Sequence, residues 1–199
     1  MGRLEGKNIL MIIPKDFYAE GELEIPLNKF REEGADVRVA SIKFKEAVGE
    51  KNGRIMPDLL VVDAIEGIAG DSFVTAGKGT RQIKGVFHGV VVVGGRGAKK
   101  YTWKERLVRL LLIDRYKSEM VVAGIGYGVP ALGEAGLLEN IEVAAVQDKH
   151  TLPELDNAAA ILTEEKLAVN DRVITAVGPE VAEEFAEAVI EAVMKTPHK

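Results

Sequence analysis

The sequence predicts a doubly wound α/β protein, a mostly parallel sheet with helices on both faces. Three observations carry that expectation. The chain opens strand, helix, strand, and such a unit implies a parallel pair joined by a right-handed crossover. Its apolar runs over residues 8–13, 90–93 and 121–125 are continuous rather than alternating, as in parallel strands covered on both faces. Around residues 120–132 an apolar run meets Gly124, Gly126 and Gly128 before a small, helix-compatible segment. That pattern reads as a buried strand, a sharp turn and the start of a helix.

In chain order, residues 7–14 form the first strand. Residues 16–24 are a loop running into a helix and carry Asp16, Glu20, Glu22 and Glu24. Leu27 and Phe30 continue the apolar face of that helix, and Gly34 is a natural stop. Residues 36–41 (Asp-Val-Arg-Val-Ala-Ser) alternate and form the second strand. Residues 46–85 are the least regular part, read as an atypical insertion within one domain: short strands at 53–56 and 59–62, interrupted by glycines. A hairpin-like excursion used for oligomer contacts and a ligand lid both remain open for it.

Residues 89–95 form the next central strand, ending in Gly94-Gly95-Arg96-Gly97. A helix over 103–116 presents Leu107, Leu110 and Leu111 on one face. Beyond the glycine turn, a helix over 129–136, a strand over 141–146 and a helix over 155–162 are expected. Residues 167–175 read as a hairpin across Asn170-Asp171. Gly178-Pro179 opens the last helix, whose buried stripe is Val181, Phe185, Val189 and Val193.

Composition narrows the function. At 199 residues and 47% hydrophobic, the chain is long enough for one domain with a real core. A net charge of −5 argues against nucleic acid and against an anionic membrane surface as partners. The absence of cysteine removes disulfides, thiolate metal sites and thiol catalysis. No apolar run is long enough to span a membrane, and residues 9–13 are too short for a signal-peptide core, so a cytoplasmic location is expected. Many Glu and Lys with few Gln suit a heat-adapted source.

The glycine motifs exclude more than they assign. Residues 70–79 miss the phosphate-loop pattern, because the spacing is wrong and Gly79 replaces the hydroxyl residue. Neither Gly94-Gly95 nor Gly124-x-Gly126-x-Gly128 fits the dinucleotide fingerprint. His88, His150 and His198 lack ligand spacing, and neither a metal nor a cofactor is expected. What remains is a constellation at the ends of the parallel strands, where open α/β sheets bind ligands. Its members are the turn Gly126-Tyr127-Gly128, the turn Gly94-Gly95 and the acidic loop after the first strand. Turns of this kind aim backbone N–H groups at a common point, which suits an anion or an oxyanion.

Four blocks, in order, resemble the ThiJ/PfpI (DJ-1/PfpI) superfamily, related to class I glutamine amidotransferase domains of flavodoxin-like fold. They are the segment 8–41 with Glu22-Leu23-Glu24-Ile25-Pro26, the strand Val90–Val93 ending in Gly94-Gly95, residues 122–138, and the segment 173–179 with Phe185. The resemblance places the family's nucleophilic Cys on Gly126, the His that often follows on Tyr127, and its acid on Glu22. It places the oxyanion-stabilising backbone on Gly95 and Tyr127 and the elbow glycine on Gly128, while the family's Pro stands one place late at Pro130. His150 corresponds to a further His of some members.

The peptidase, glyoxalase and deglycase chemistry of relatives runs through the missing thiol. The resemblance therefore implies a non-catalytic member that binds a small molecule, an anion or a carbonyl compound, or serves as an oligomeric scaffold. The ligand-binding candidates are Glu22, Gly94, Gly95, Gly126, Tyr127 and Gly128. The competing expectation is a cysteine-independent hydrolase or glyoxalase-like enzyme with Glu22 as general base and Tyr127 as donor. A homodimer or larger homo-oligomer is expected by resemblance.

Overall fold

The computed structural model describes residues 2–70 and 85–197. Its strands in chain order are β1 (Asn8–Ile12), β2 (Asp36–Ser41), β3 (Ala47–Val48), β4 (Arg54–Ile55), β5 (Leu59–Leu60), β6 (Gly89–Val92), β7 (Val121–Ile125), β8 (Glu142–Val143), β9 (Ile161–Leu162), β10 (Leu167–Asn170) and β11 (Val173–Ala176). Its helices are α1 (Glu20–Glu32), α2 (Val61–Ile65), α3 (Ala98–Tyr101), α4 (Arg106–Lys117), α5 (Val129–Glu134), α6 (Thr151–Asn157) and α7 (Ala182–Met194).

Seven strands form the central sheet in the order β10-β11-β7-β6-β1-β2-β5. All neighbours are parallel except the β10–β11 hairpin. The register sets Ile9 beside Val37 and Gly89, and Val90 beside Val122. Strand alternation then divides the apolar runs between two cores. Ile9, Met11 and Ile13 face one way and pack with Leu23 and Phe30 of α1 and Phe185, Val189 and Val193 of α7. Leu10, Ile12, Val90 and Val92 face the other way, against Val108, Leu111 and Leu112 of α4 and Leu132 and Leu155 of α5 and α6. Burial on both faces explains why the central strands carry no polar alternation.

Most expected elements are present, with corrections where local signals misled. The strand expected over 141–146 is two residues long, β8, and it pairs with β9 in a small separate sheet. The helix expected over 155–162 lies earlier, at α6, and Ile161–Leu162 is strand and exposed. The stop comes at Ala159, which holds a positive φ of 53°. Val62 is helical rather than strand. The strand expected at 53–56 is only β4, paired with β3 in a hairpin. In the helix expected over 103–116, regular helix begins at Arg106, and Leu110 points to solvent while Val108 and Leu112 join Leu111 inside. Within residues 46–85, β5 is the last strand of the main sheet, and residues 71–84, with most of the 70–79 glycine segment, lie outside the described residues.

Candidate functional site

Strand order reverses at β1, which has β2 on one side and β6 on the other. Connections leaving the carboxyl ends of β1 and β6 therefore diverge and leave a crevice, the place where open α/β sheets receive ligands. Three backbone segments meet there: residues 13–19 after β1, residues 93–97 after β6, and the 3-10 turn Gly126–Gly128 after β7. The first two are joined directly. The Ala19 amide donates to the Gly94 carbonyl at 3.1 Å, and the Gly97 amide to the Phe17 carbonyl at 3.0 Å. Gly95 holds a φ of 109°, and a Cβ on it would lie 2.3 Å from the Phe17 carbonyl oxygen. Only glycine lets these two loops close on each other.

Glu22 enters this crevice from the first turn of α1, so the residue expected in a loop is helical. Pro26, four residues on, has no N–H to give the Glu22 carbonyl, so the helix ladder is interrupted at the residue facing the site. Glu22 is 4% exposed, and its Oε2 accepts from the Gly94 amide at 2.9 Å. Burial pushes its pKa up to about 8, against the pull of the Gly94 amide, and the neighbouring charges of Glu50 and Glu180 add to the rise. At neutral pH this side chain is chiefly a neutral carboxylic acid.

Gly126 stands at the tip of the turn with a φ of 57°. A Cβ built on it would lie 2.1 Å from Glu22 Oε1. The Glu22 carboxyl thus fills the volume that any side chain at position 126 would need. Gly94 contributes its amide to Glu22, and Gly128, buried, ends the turn and leads into α5 with Pro130 in the first helical turn.

Tyr127 is held by other partners. Its O–H donates to Asp148 Oδ2, its carbonyl accepts from Trp103 Nε1, and its ring lies 6.3 Å from that of Trp103. The hydrogen bond to Asp148 pushes the phenol up to about 12 and holds Asp148 down at about 2, so the phenol is a fixed donor. Asp148 Oδ1 also takes the amides of His150 (2.7 Å) and Thr151 (2.9 Å) at the start of α6. At the mouth, the Arg96 amide donates to Glu50 Oε1 at 2.6 Å, and the Arg96 guanidinium lies over Phe17. The Lys99 ammonium is 2.8 Å from His150 Nδ1.

All six residues expected from the sequence, Glu22, Gly94, Gly95, Gly126, Tyr127 and Gly128, belong to these three segments and α1. Sequence reasoning missed Glu50, Asp148 and Lys99. Asp148 carried one legible signal, an Asp three residues before Thr151 at a helix start, although that spacing says nothing about Tyr127. Glu50 sits in the aperiodic stretch, where no pattern points. Among the described residues no group of three or more His, Cys, Asp or Glu side chains is placed to hold a metal ion. Among them, too, no helix is long and apolar enough to cross a membrane.

Comparison with known proteins agrees with this architecture. An uncharacterized protein of Methanocaldococcus jannaschii is 29% identical over 189 residues, 95% of this chain and 83% of the relative. The crystal structure of a ThiJ/PfpI domain protein from Brachyspira murdochii superposes with a TM-score of 0.78 at 26% identity, covering 95% of this chain and 96% of the other. Drosophila melanogaster DJ-1beta shares the fold, with a TM-score of 0.73 at 21% identity over 100% of this chain and 92% of the other. The DJ-1/PfpI family model matches residues 7–192, and the chain belongs to the DJ-1/PfpI family.

Proposed function

We propose that this chain is a family member without thiol chemistry that binds a small molecule, an anion or a carbonyl compound, at the crevice above β1 and β6. One observation carries the reading: the Glu22 carboxyl occupies the space that a nucleophile's side chain at position 126 would fill. The chain has no cysteine to supply that reagent from elsewhere. What is left is a binding lining. A buried neutral acid beside glycine-turn amides can offer hydrogen bonds to a carbonyl or oxyanion without attacking it. Assembly into a homodimer or larger homo-oligomer belongs to the same proposal.

The test is turnover of methylglyoxal and of a peptide by the native protein, beside Glu22→Ala and Gly126→Cys. The reading expects none from the native protein. Native turnover that disappears in Glu22→Ala would overturn it in favour of the second reading, a cysteine-independent hydrolase or glyoxalase-like enzyme. The observation favouring that alternative is an acid whose pKa of about 8 suits proton transfer near neutral pH. In that case Tyr127→Phe should also lower kcat, because the phenol would be the second donor.

A further inference from the structure

We propose that the mouth of the crevice carries an oxyanion subsite, formed by Arg96, Lys99, His150 and the Tyr127 ring, which takes the phosphate or carboxylate group of a small molecule. The inference rests on the binding reading above and names the charge of the ligand.

A 290 Å³ cavity is lined by these four residues, at the lower end of the size range of small-molecule pockets. Three of them carry nitrogen donors, and they come from separate elements: Arg96 from the turn after β6, Lys99 from α3, and His150 from the start of α6. The balance of partners distinguishes this cluster from an ordinary solvated surface. Its acidic neighbours already have donors. Both Asp148 oxygens are engaged, one by the Tyr127 hydroxyl and one by the amides of His150 and Thr151. Glu50 Oε1 accepts from the Arg96 amide and lies 3.7 Å from Arg96 Nε.

On the cationic side Arg96 has the Glu50 ion pair, whereas Lys99 lacks a carboxylate partner among the described residues. The only side-chain partner of the Lys99 ammonium among the described residues is the His150 ring, a contact that gains nothing from charge attraction. A lysine held against an imidazole, next to an arginine steadied on the Phe17 ring, presents donors and positive charge to one small volume. An oxyanion placed there would accept from Lys99 and Arg96 and from His150 Nε2, beside the Tyr127 ring.

The experiment is an NMR titration of the native chain with inorganic phosphate, and separately with succinate, at fixed ionic strength. Saturable shifts are expected at the amides of 96–99 and 148–151. Which of the two anions binds tells a phosphate-bearing ligand from a carboxylate. Arg96→Ala/Lys99→Ala should weaken binding at least tenfold. Lys104→Ala, which removes a neighbouring cation paired with Glu154, should leave it within twofold. Saturation by neither anion, or equal weakening by Lys99→Ala and Lys104→Ala, overturns the subsite. Measuring methylglyoxal turnover on the same samples separates the two claims. Anion binding with turnover retains the subsite and rejects the non-catalytic reading. No binding and no turnover does the reverse.

Discussion

Lys7 and Glu22 are buried ionisable side chains at opposite ends of β1. Lys7, 2% exposed, precedes the strand, and its ammonium donates to the Thr196 carbonyl at 2.8 Å and the Thr196 hydroxyl at 3.2 Å, just beyond the C-terminus of α7. A cation at a helix C-terminus meets the negative end of the macrodipole and the unpaired carbonyls there, so the contact ties the final helix to the sheet. Glu22, 4% exposed, follows the strand and receives one amide, with Glu50 and Glu180 as like-charged neighbours. At the base of the sheet burial lowers the Lys7 pKa, yet the ammonium keeps two oxygen acceptors. The top buries an acid in surroundings that oppose its charge. Packing does not require the second arrangement, and such perturbed groups cluster at sites of function.

The largest effect expected from this contrast is a pH dependence. Folding raises the Glu22 pKa from 4.5 to about 8. Between those values the native chain holds a proton that the unfolded chain releases, so this group's contribution to stability falls as pH rises through that window and levels off above it. Each pKa unit corresponds to about 1.4 kcal/mol, so the slope should be plain in urea denaturation at successive pH values. Glu22→Gln should remove it and leave the variant more stable than the native protein at pH 8.5. Equal slopes in the two proteins would break the comparison.

Next in size is Gly126→Cys. The new side chain must accept a φ of 57° and displace the Glu22 carboxyl. A cost of about 1–3 kcal/mol is expected from the backbone conformation alone. Because the second clash is with Glu22, the substitution should cost less in a Glu22→Ala background, which a double-mutant cycle by urea denaturation measures. At the other end, Lys7→Ala leaves the Thr196 carbonyl and hydroxyl without their donor and should cost about 1–3 kcal/mol. A neutral outcome there would remove the stabilising half of the contrast. The smallest effect is Tyr127→Phe, which loses one bond to Asp148 at a half-buried site, about 0.5–1.5 kcal/mol by thermal denaturation.

How much of this was legible in the sequence follows the same division. The central strands were readable because Ile9–Ile13, Val90–Val93 and Val121–Ile125 are buried on both faces and carry that fact as unbroken apolar runs. The glycine turns were readable because close backbone approach at Gly95 and a positive φ at Gly126 leave little choice of residue. Edge elements were not: β8 and β9 are two residues each, and such short strands leave no period to detect. The position of Glu22 was legible and its state was not, since protonation depends on burial and on Glu50 and Glu180, distant in the chain. Asp148 was unreadable as a partner of Tyr127 for the same reason, being set by how α6 docks beside the turn.

The central claim is that a neutral carboxylic acid stands where a reacting side chain would be, and the direct measurement is the titration of the Glu22 carboxyl by 13C NMR, assigned with Glu22→Gln. The account predicts an apparent pKa near 8 in the native protein, with the Gly126 and Gly94 amides shifting along the same curve. A carboxyl that titrates at its ordinary value near 4.5 would contradict it, because Glu22 would then be a solvated charge and the crevice would lack its acid.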